Sequence, residues 1–294
     1  MVSQPDRRRG RGRKLSPSPV AEVALREGLP LLRPEQVAEV EVELSGQAPD
    51  LGVVVAFGQF IGKRIRELPS LGLCINGHAS LLPRWRGAAP MQHAILAGDP
   101  TTGVSVMRVE KTMDTGAFML QRELAIGSEE TAGELAQRIA ALTADAVAEG
   151  IDAIASDRAS WTEQNPSHVT LAPKITRDDA RLDWSEPAEL LARRVRAMAP
   201  SPGAFTSLEG EPLRILGAKA QDDAAAPGTH SLGAKAQDDA AAPGTVSNVP
   251  GSLLAIASGR GWLLPTRLQR AGGRPLDTDA FLRGHPLRDG TRLG

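Results

Sequence analysis

Only one cysteine, Cys74, stands among 294 residues, so no internal disulfide is possible. A lone thiol fits a reducing compartment, and the expected location is the cytoplasm. No apolar run approaches the roughly 18–20 residues of a membrane-spanning helix, so no membrane attachment is expected. The basic stretch Arg7–Lys14 is followed by no apolar segment, which excludes a secretory signal. Neither charge sign is in excess. With a formal net charge of -1 the chain as a whole is not a polyanion binder, and affinity for nucleic acid must come from a local patch.

What remains is ordinary globular material, with 41% hydrophobic and 23% charged residues. The length suffices for two domains. Residues 1–19 are polar, basic and rich in Gly and Pro, and read as a loop. Helices are expected over Val20–Glu27 and near Pro34–Leu44. The run Leu51–Ala56 is apolar and β-branched, which predicts a strand buried on both faces of a parallel sheet. Leu73–His78 and Gly103–Val109 read as further strands, Lys63–Leu68 and Pro90–Ala97 as helices. Along Thr131–Ile154 the residues Leu135, Ile139, Leu142, Ala146 and Ile151 recur at helical spacing. Strands alternating with helices predict a mostly parallel α/β domain over residues 1–158.

Residues 159–177, with Asn165-Pro166 and Ala172-Pro173, read as a linker. Beyond it, one helix (Pro187–Met198) precedes short strand-like pieces at Pro212–Leu216, Ser252–Ile256 and Trp262–Leu264. This texture predicts a small OB-like β-barrel over 178–294. Leu216–Thr229 and Leu232–Thr245 are identical over 14 residues. Solenoid repeats vary and need several copies, so this reads as a recent duplication or a gene-model artefact, the extra copy being a solvated loop.

Asn76 and His78 lie two apart at the end of a strand, so both project from one face. Ligands of open α/β sheets bind beyond the carboxyl ends of the strands. Asp114, in Met113-Asp-Thr-Gly116, follows the next predicted strand and is expected on the same rim. An amide, an imidazole and a carboxylate there suit acyl transfer to an amine. Asn76 can stabilise an oxyanion, His78 can donate a proton, and Asp114 can orient His78 and help take a proton from the attacking nitrogen. Taken singly, each has a blander role: His78 as a structural or solvated side chain, Asp114 as a turn residue, Asn76 as a local backbone cap.

The stretch Asn76-Gly-His-Ala-Ser-Leu-Leu-Pro-Arg-Trp-Arg-Gly-Ala-Ala-Pro90, with the later Asp114-Thr-Gly116, is similar to the hallmark of the folate-dependent formyltransferases. The resemblance implies a Rossmann-like formyltransferase domain followed by the barrel, with Asn76, His78 and Asp114 as the catalytic trio. It implies 10-formyltetrahydrofolate as co-substrate and direct attack by an amine, through a tetrahedral intermediate. No metal and no covalent enzyme adduct are implied, in line with the lack of a convincing nucleophile–base or metal-ligand cluster. It also implies cofactor-binding positions at Phe57, Gly58 and Gln59 and at Ser80, Leu81, Leu82 and Pro83. The family usually has tyrosine where Phe57 stands, and Phe57 also reads as a core aromatic.

Six cationic residues fall within Arg7–Lys14. Such a cluster can neutralise several phosphates, in a flexible loop that orders on RNA, or it can be a solvated tail. The segment Gln4-Pro-Asp-Arg…Gly-Arg-Gly-Arg-Lys-Leu15 resembles the insertion of the methionyl-tRNA formyltransferase family, which acts on initiator methionyl-tRNA. That places tRNA contacts at Arg7, Arg11, Arg13 and Lys14, Arg11 above all. Ala172–Ile175, Leu182–Trp184, Arg196–Phe205 and Phe281–Gly284 continue the resemblance into the second domain. The expectation is translation-initiation chemistry by a monomer.

The family begins with a strand, a turn, a helix and a second strand before the basic loop, and the chain starts at the end of that second strand. By that comparison a central strand is expected to be missing, which would leave backbone groups unpaired. The expectation is poor expression or inactivity for this chain and activity for one extended upstream. Two alternatives stand beside the first reading: formyl transfer to another amine, and a catalytically impaired RNA-binding fragment.

Overall fold

A computed structural model of the chain describes residues 1–9, 12, 14–222, 241–249 and 253–294. The first elements are β1 (Arg7–Arg9), β2 (Lys14–Ser16), α1 (Pro19–Arg26), α2 (Glu41–Ser45), β3 (Gly52–Val54), α3 (Lys63–Arg66) and β4 (Cys74–His78). Then come β5 (Arg86–Gly87), α4 (Pro90–Ala97), β6 (Thr101–Arg108), β7 (Phe118–Ala125), α5 (Ala132–Ala155), β8 (Leu171–Ala172) and α6 (Ala188–Met198). The last are β9 (Ala204–Leu208), β10 (Glu211–Gln221), β11 (Val246–Val249), β12 (Leu253–Ala257), β13 (Trp262–Arg270), β14 (Leu276–Asp277) and α7 (Thr278–Gly284). Two compact units result. One holds Met1–Arg86, Gly103–Glu123 and Ala141–Thr170; the other holds Gly87–Thr102, Leu124–Ala140 and Leu171–Gly294. Among the described residues no helix is long and apolar enough to cross a membrane.

The sheet of the first unit runs in the order β3-β4-β6-β7. β3 and β4 are parallel, with Val54 opposite Asn76. β6 runs antiparallel to β4, with His78 opposite Ser105 and Ile75 opposite Arg108. The expected mostly parallel sheet is therefore corrected: a strand's own residues carry its pattern but not its direction. β3 is an edge strand, and Val53 and Val55 are 45% and 48% exposed rather than buried on both faces.

α5 covers one face of β4. Its buried stripe is Leu135, Ile139, Thr143, Ala146, Val147 and Gly150; Ile151, expected on that face, is exposed. At Gly77 helix and strand meet so closely that a Cβ would stand 2.6 Å from Thr143 Cγ2 and 3.0 Å from Val147 Cγ2. Ile75, on the same side as Gly77, is fully buried, while Asn76 and His78 point the other way.

The N-terminal loop reading is also revised. Arg7–Arg9 and Lys14–Ser16 pair as an antiparallel ladder, Arg8 opposite Leu15. The base of this hairpin is held by Arg33, whose Nη1 donates to both Asp6 carboxylate oxygens at 2.7 and 2.9 Å. Ser18 caps α1 by accepting from the Ala21 N–H at 3.0 Å, and its hydroxyl also meets that of Ser3.

The second unit is an antiparallel sheet in the order β11-β12-β13-β10-β9, with β14 on β13. Register shifts at Ile215/Gly217 and Gly217/Ala218 interrupt β10, and such bulges bend a strand. The two edges are linked by the C-terminal residues: Leu293 bridges Leu208 and Arg292 bridges Thr245. Inside lie Leu191, Val195 and Met198 of α6 with Leu213, Ile215, Leu254, Ile256, Leu263, Leu268 and Phe281. The OB-like β-barrel expected over 178–294 takes the form of a small curled antiparallel sheet. The solvated loop assigned to the duplicated segment falls largely on 223–240, outside the described residues.

Candidate active site

His78 and Asp114 come together. The imidazole Nδ1 lies 3.6 Å from Asp114 Oδ2, with the side chains only 6% and 12% exposed. Nε2 of His78 is 2.9 Å from the carbonyl oxygen of Trp85. A carbonyl can only accept, so Nε2 carries a proton and Nδ1 is the nitrogen turned to the carboxylate. Asn76, half-buried, leaves β4 on the same side as His78.

The route to this pairing differs from the expected one. Because β6 is antiparallel to β4, its end lies beside the start of β4, where the Val109 N–H donates to the Cys74 carbonyl at 2.8 Å. The loop must therefore travel back towards His78. It closes at its neck where the Arg108 N–H donates to the Ala117 carbonyl at 2.9 Å. A Cβ on Gly116 would stand 2.1 Å from the Arg108 carbonyl oxygen, so the glycine of Asp-Thr-Gly is needed for this close approach. Asp114 itself has a positive φ of 55°, a backbone state in which Asp is enriched among non-glycine residues.

The loop after β4 is stitched from beneath. Ser105 accepts from the Leu82 N–H at 2.9 Å and donates to the Ser80 carbonyl at 2.7 Å. Gln121 Nε2 donates to the Leu82 carbonyl at 2.9 Å and to the Ser105 hydroxyl at 2.8 Å. Ser80, fully buried, donates to the Arg84 carbonyl at 2.6 Å. Ser80 and Leu82 thus face inward. Leu81 and Pro83 are half-buried, and a Cβ on Gly103 would press on Leu81 Cδ2.

Phe57 and Val109 pack on one apolar cluster of Val37, Val40 and Ile61. The turn after β3 and the start of the Asp114 loop are therefore neighbours. Gly58 has a positive φ of 75°. Gln59 Oε1 accepts from the Val37 N–H at 2.7 Å, and Gln4 Nε2 donates to the Phe57 carbonyl at 2.5 Å. Of the basic positions, Arg7 pairs with Glu35 at 3.1 Å while both stay exposed, and Lys14 is exposed. Arg11 and Arg13 lie outside the described residues.

Gln164 was not anticipated. It falls in 159–177, yet it is 8% exposed. Its Nε2 donates to the carbonyls of Asp114 and Gly116 at 2.9 and 2.7 Å. Its Oε1 accepts from Arg86 Nε and Nη2 at 2.9 and 2.7 Å. Ser105 was also missed, although a polar residue between the fully buried Val104 and Val106 is a readable signal. For Gln164 no local signal exists. Among the described residues no group of three or more His, Cys, Asp or Glu could hold a metal ion.

The family model described as Formyl transferase matches residues 1–151, and the one described as Formyl transferase, C-terminal domain, matches 174–286. A methionyl-tRNA formyltransferase of Chromohalobacter salexigens is 43% identical over 306 residues, covering 99% of this chain and 88% of that protein. One of Methylococcus capsulatus is 42% identical over 303 residues, covering 100% and 91%. Among solved structures, HypX from Aquifex aeolicus in complex with tetrahydrofolic acid aligns with a TM-score of 0.62 at 18% identity, covering 89% of this chain and 43% of that one. An N-formyltransferase from Helicobacter canadensis, in complex with folinic acid and dTDP-3-aminofucose, aligns with a TM-score of 0.61 at 13% identity, covering 87% and 84%. At such identities these structures speak for the fold alone.

Proposed function

The chain belongs to the formyl transferase family, and we propose that it transfers the formyl group of 10-formyltetrahydrofolate to the amino group of methionyl-initiator tRNA. The observation that carries the chemistry is the His78–Asp114 approach at 3.6 Å, beside an amide two residues away on the same strand face. The observation that carries the acceptor is the 43% identity over nearly the whole chain to a protein of that name.

Asn76, His78 and Asp114 are the catalytic residues of this reading. The co-substrate supplies the formyl carbon. The Asn76 amide donates to the oxygen on which negative charge gathers as the amine attacks. Nε2 of His78 is committed to Trp85, so a proton offered to that oxygen leaves from Nδ1. Asp114 faces the imidazolium and receives the proton shed by the attacking nitrogen. As the tetrahedral adduct collapses, its hydroxyl proton returns to Nδ1, the bond from the formyl carbon to N10 of the folate breaks, and the proton held by Asp114 passes to the departing N10. At 3.6 Å the carboxylate faces Nδ1 without a direct hydrogen bond between the two atoms.

Phe57, Gly58 and Gln59 and the backbone of Ser80, Leu81, Leu82 and Pro83 hold the folate. The fit rests on a loop after β4 that Ser105 and Gln121 hold rigid from beneath, and on the apolar cluster against which Phe57 packs. A flat heteroaromatic ring with amide and amine groups asks for such a mixed wall. Arg7, Arg11, Arg13 and Lys14 contact tRNA phosphates. Residues 1–158 form the catalytic domain, 159–177 the connection and 178–294 the tRNA-binding domain, in a cytoplasmic monomer.

The test is formyl transfer from 10-formyltetrahydrofolate to charged initiator tRNA, with nucleotide-linked amino sugars as parallel acceptors. Transfer to the tRNA, abolished by His78→Ala, is expected. Transfer only to an amino sugar, or unchanged transfer by His78→Ala, refutes the reading.

A further inference from the structure

Resting on that reading of His78 and Asp114, we propose that Gln164 is a positioning residue, the clamp that sets the carboxylate of Asp114 against His78. All four hydrogen-bonding capacities of its amide are used. The two N–H groups go to the carbonyls of Asp114 and Gly116, and the oxygen takes the Arg86 fork. Arg86 follows Trp85, whose carbonyl holds His78 Nε2. That neighbour is itself pinned: the Trp85 N–H donates to Thr170 Oγ1 at 2.9 Å and the Arg86 N–H to the Thr170 carbonyl at 2.9 Å. One buried amide thus ties the strand of chain that fixes the imidazole to the loop that carries the carboxylate.

The loop needs such a tie. Asp114 and Trp85 both hold positive φ, 55° and 62°, states that persist where surrounding contacts over-determine them. Gln164 supplies two of those contacts at the loop from a position 50 residues away. Side-chain amides that satisfy backbone carbonyls also remove the freedom that would let the 3.6 Å approach drift.

The experiment compares Gln164→Met and Gln164→Glu with the parent chain. Methionine removes every hydrogen bond at similar length. Glutamate keeps an acceptor for Arg86 and loses both donors to the loop. Steady-state kinetics with charged initiator tRNA should show kcat reduced about 10–100-fold, the scale of a misplacement near 1 Å. Both KM values should stay within about twofold. The ring nitrogen resonances of His78, one of five histidines, should move in both variants towards those seen in Asp114→Asn. Unchanged kcat and unmoved resonances overturn the proposal. So does loss of the fold in both variants, which would assign Gln164 to stability alone. If Asp114→Asn itself leaves transfer intact, the catalytic reading fails instead, and the two failures are distinguishable.

Discussion

Replacing Gly77 by alanine tests whether the helix-to-strand contact holds the site in register. The new Cβ would stand 2.6 Å from Thr143 Cγ2 and 3.0 Å from Val147 Cγ2. Carbon atoms settle at about 3.5–4.0 Å, so the overlap at Thr143 is about 1 Å. Both neighbours are β-branched residues on a helix with few χ1 choices, so relief must come from movement of α5 or β4. Overpacking of this kind costs about 1–3 kcal/mol. Removing a strand glycine returns roughly 0.5–1 kcal/mol of backbone entropy, which offsets only part of it. A lowered Tm by several degrees is therefore expected. Because Asn76 and His78 flank the substituted position, any shift of β4 moves both relative to Asp114, and kcat for transfer to initiator tRNA should fall by about 10²-fold. Thr143→Ser removes the crowding methyl and keeps the hydroxyl, so the double variant should regain part of both losses. A Gly77→Ala chain with parental Tm and kcat, or a double variant no better than the single one, would refute the reasoning.

Ser105→Ala strips the Leu82 N–H and the Ser80 carbonyl of a buried partner; about 1–3 kcal/mol of stability should be lost, with a raised KM for the folate, read by calorimetry and kinetics. Arg7→Ala breaks an ion pair whose partners are 58% and 65% exposed; such pairs contribute about 0–1 kcal/mol, so Tm should hardly move, while KM for tRNA rises and its dependence on log salt becomes shallower by about one unit. At the start of α5, Glu134 accepts from the Thr131 N–H and hydroxyl, and these bonds lower its pKa from 4.5. The depressed value means stability present above pH 4.5 and lost as pH falls through the folded pKa; the Tm gap between parent and Glu134→Ala should be full near neutrality and shrink on acidification.

How far the sequence could be read depended on how local each cause was. α5 was legible because Leu135, Ile139 and Ala146 recur at the period that buries one helical face, and the partner of that face was not needed to see it. Asn76 and His78 were legible for the same reason, since a spacing of two on a strand fixes a shared side. β7 is not legible because Phe118-Met-Leu-Gln-Arg-Glu-Leu-Ala125 neither alternates nor carries β-branched residues. The direction of β6 escaped because it depends on where the loop beyond it returns, and the Arg hairpin because its clamps, Asp6–Arg33 and Ser3–Ser18, join distant residues. Gln164 is the limiting case. Its partners lie 48, 50 and 78 residues away, in a stretch whose Asn and Pro read as a connection between domains. The proposed trio could thus be named from a short motif and the family resemblance it carries, whereas the amide proposed to hold two of its members in reach is defined only once the chain has closed on itself. Residues of that second kind set distances rather than identities, so substitutions there should alter kcat while leaving every recognisable motif in place.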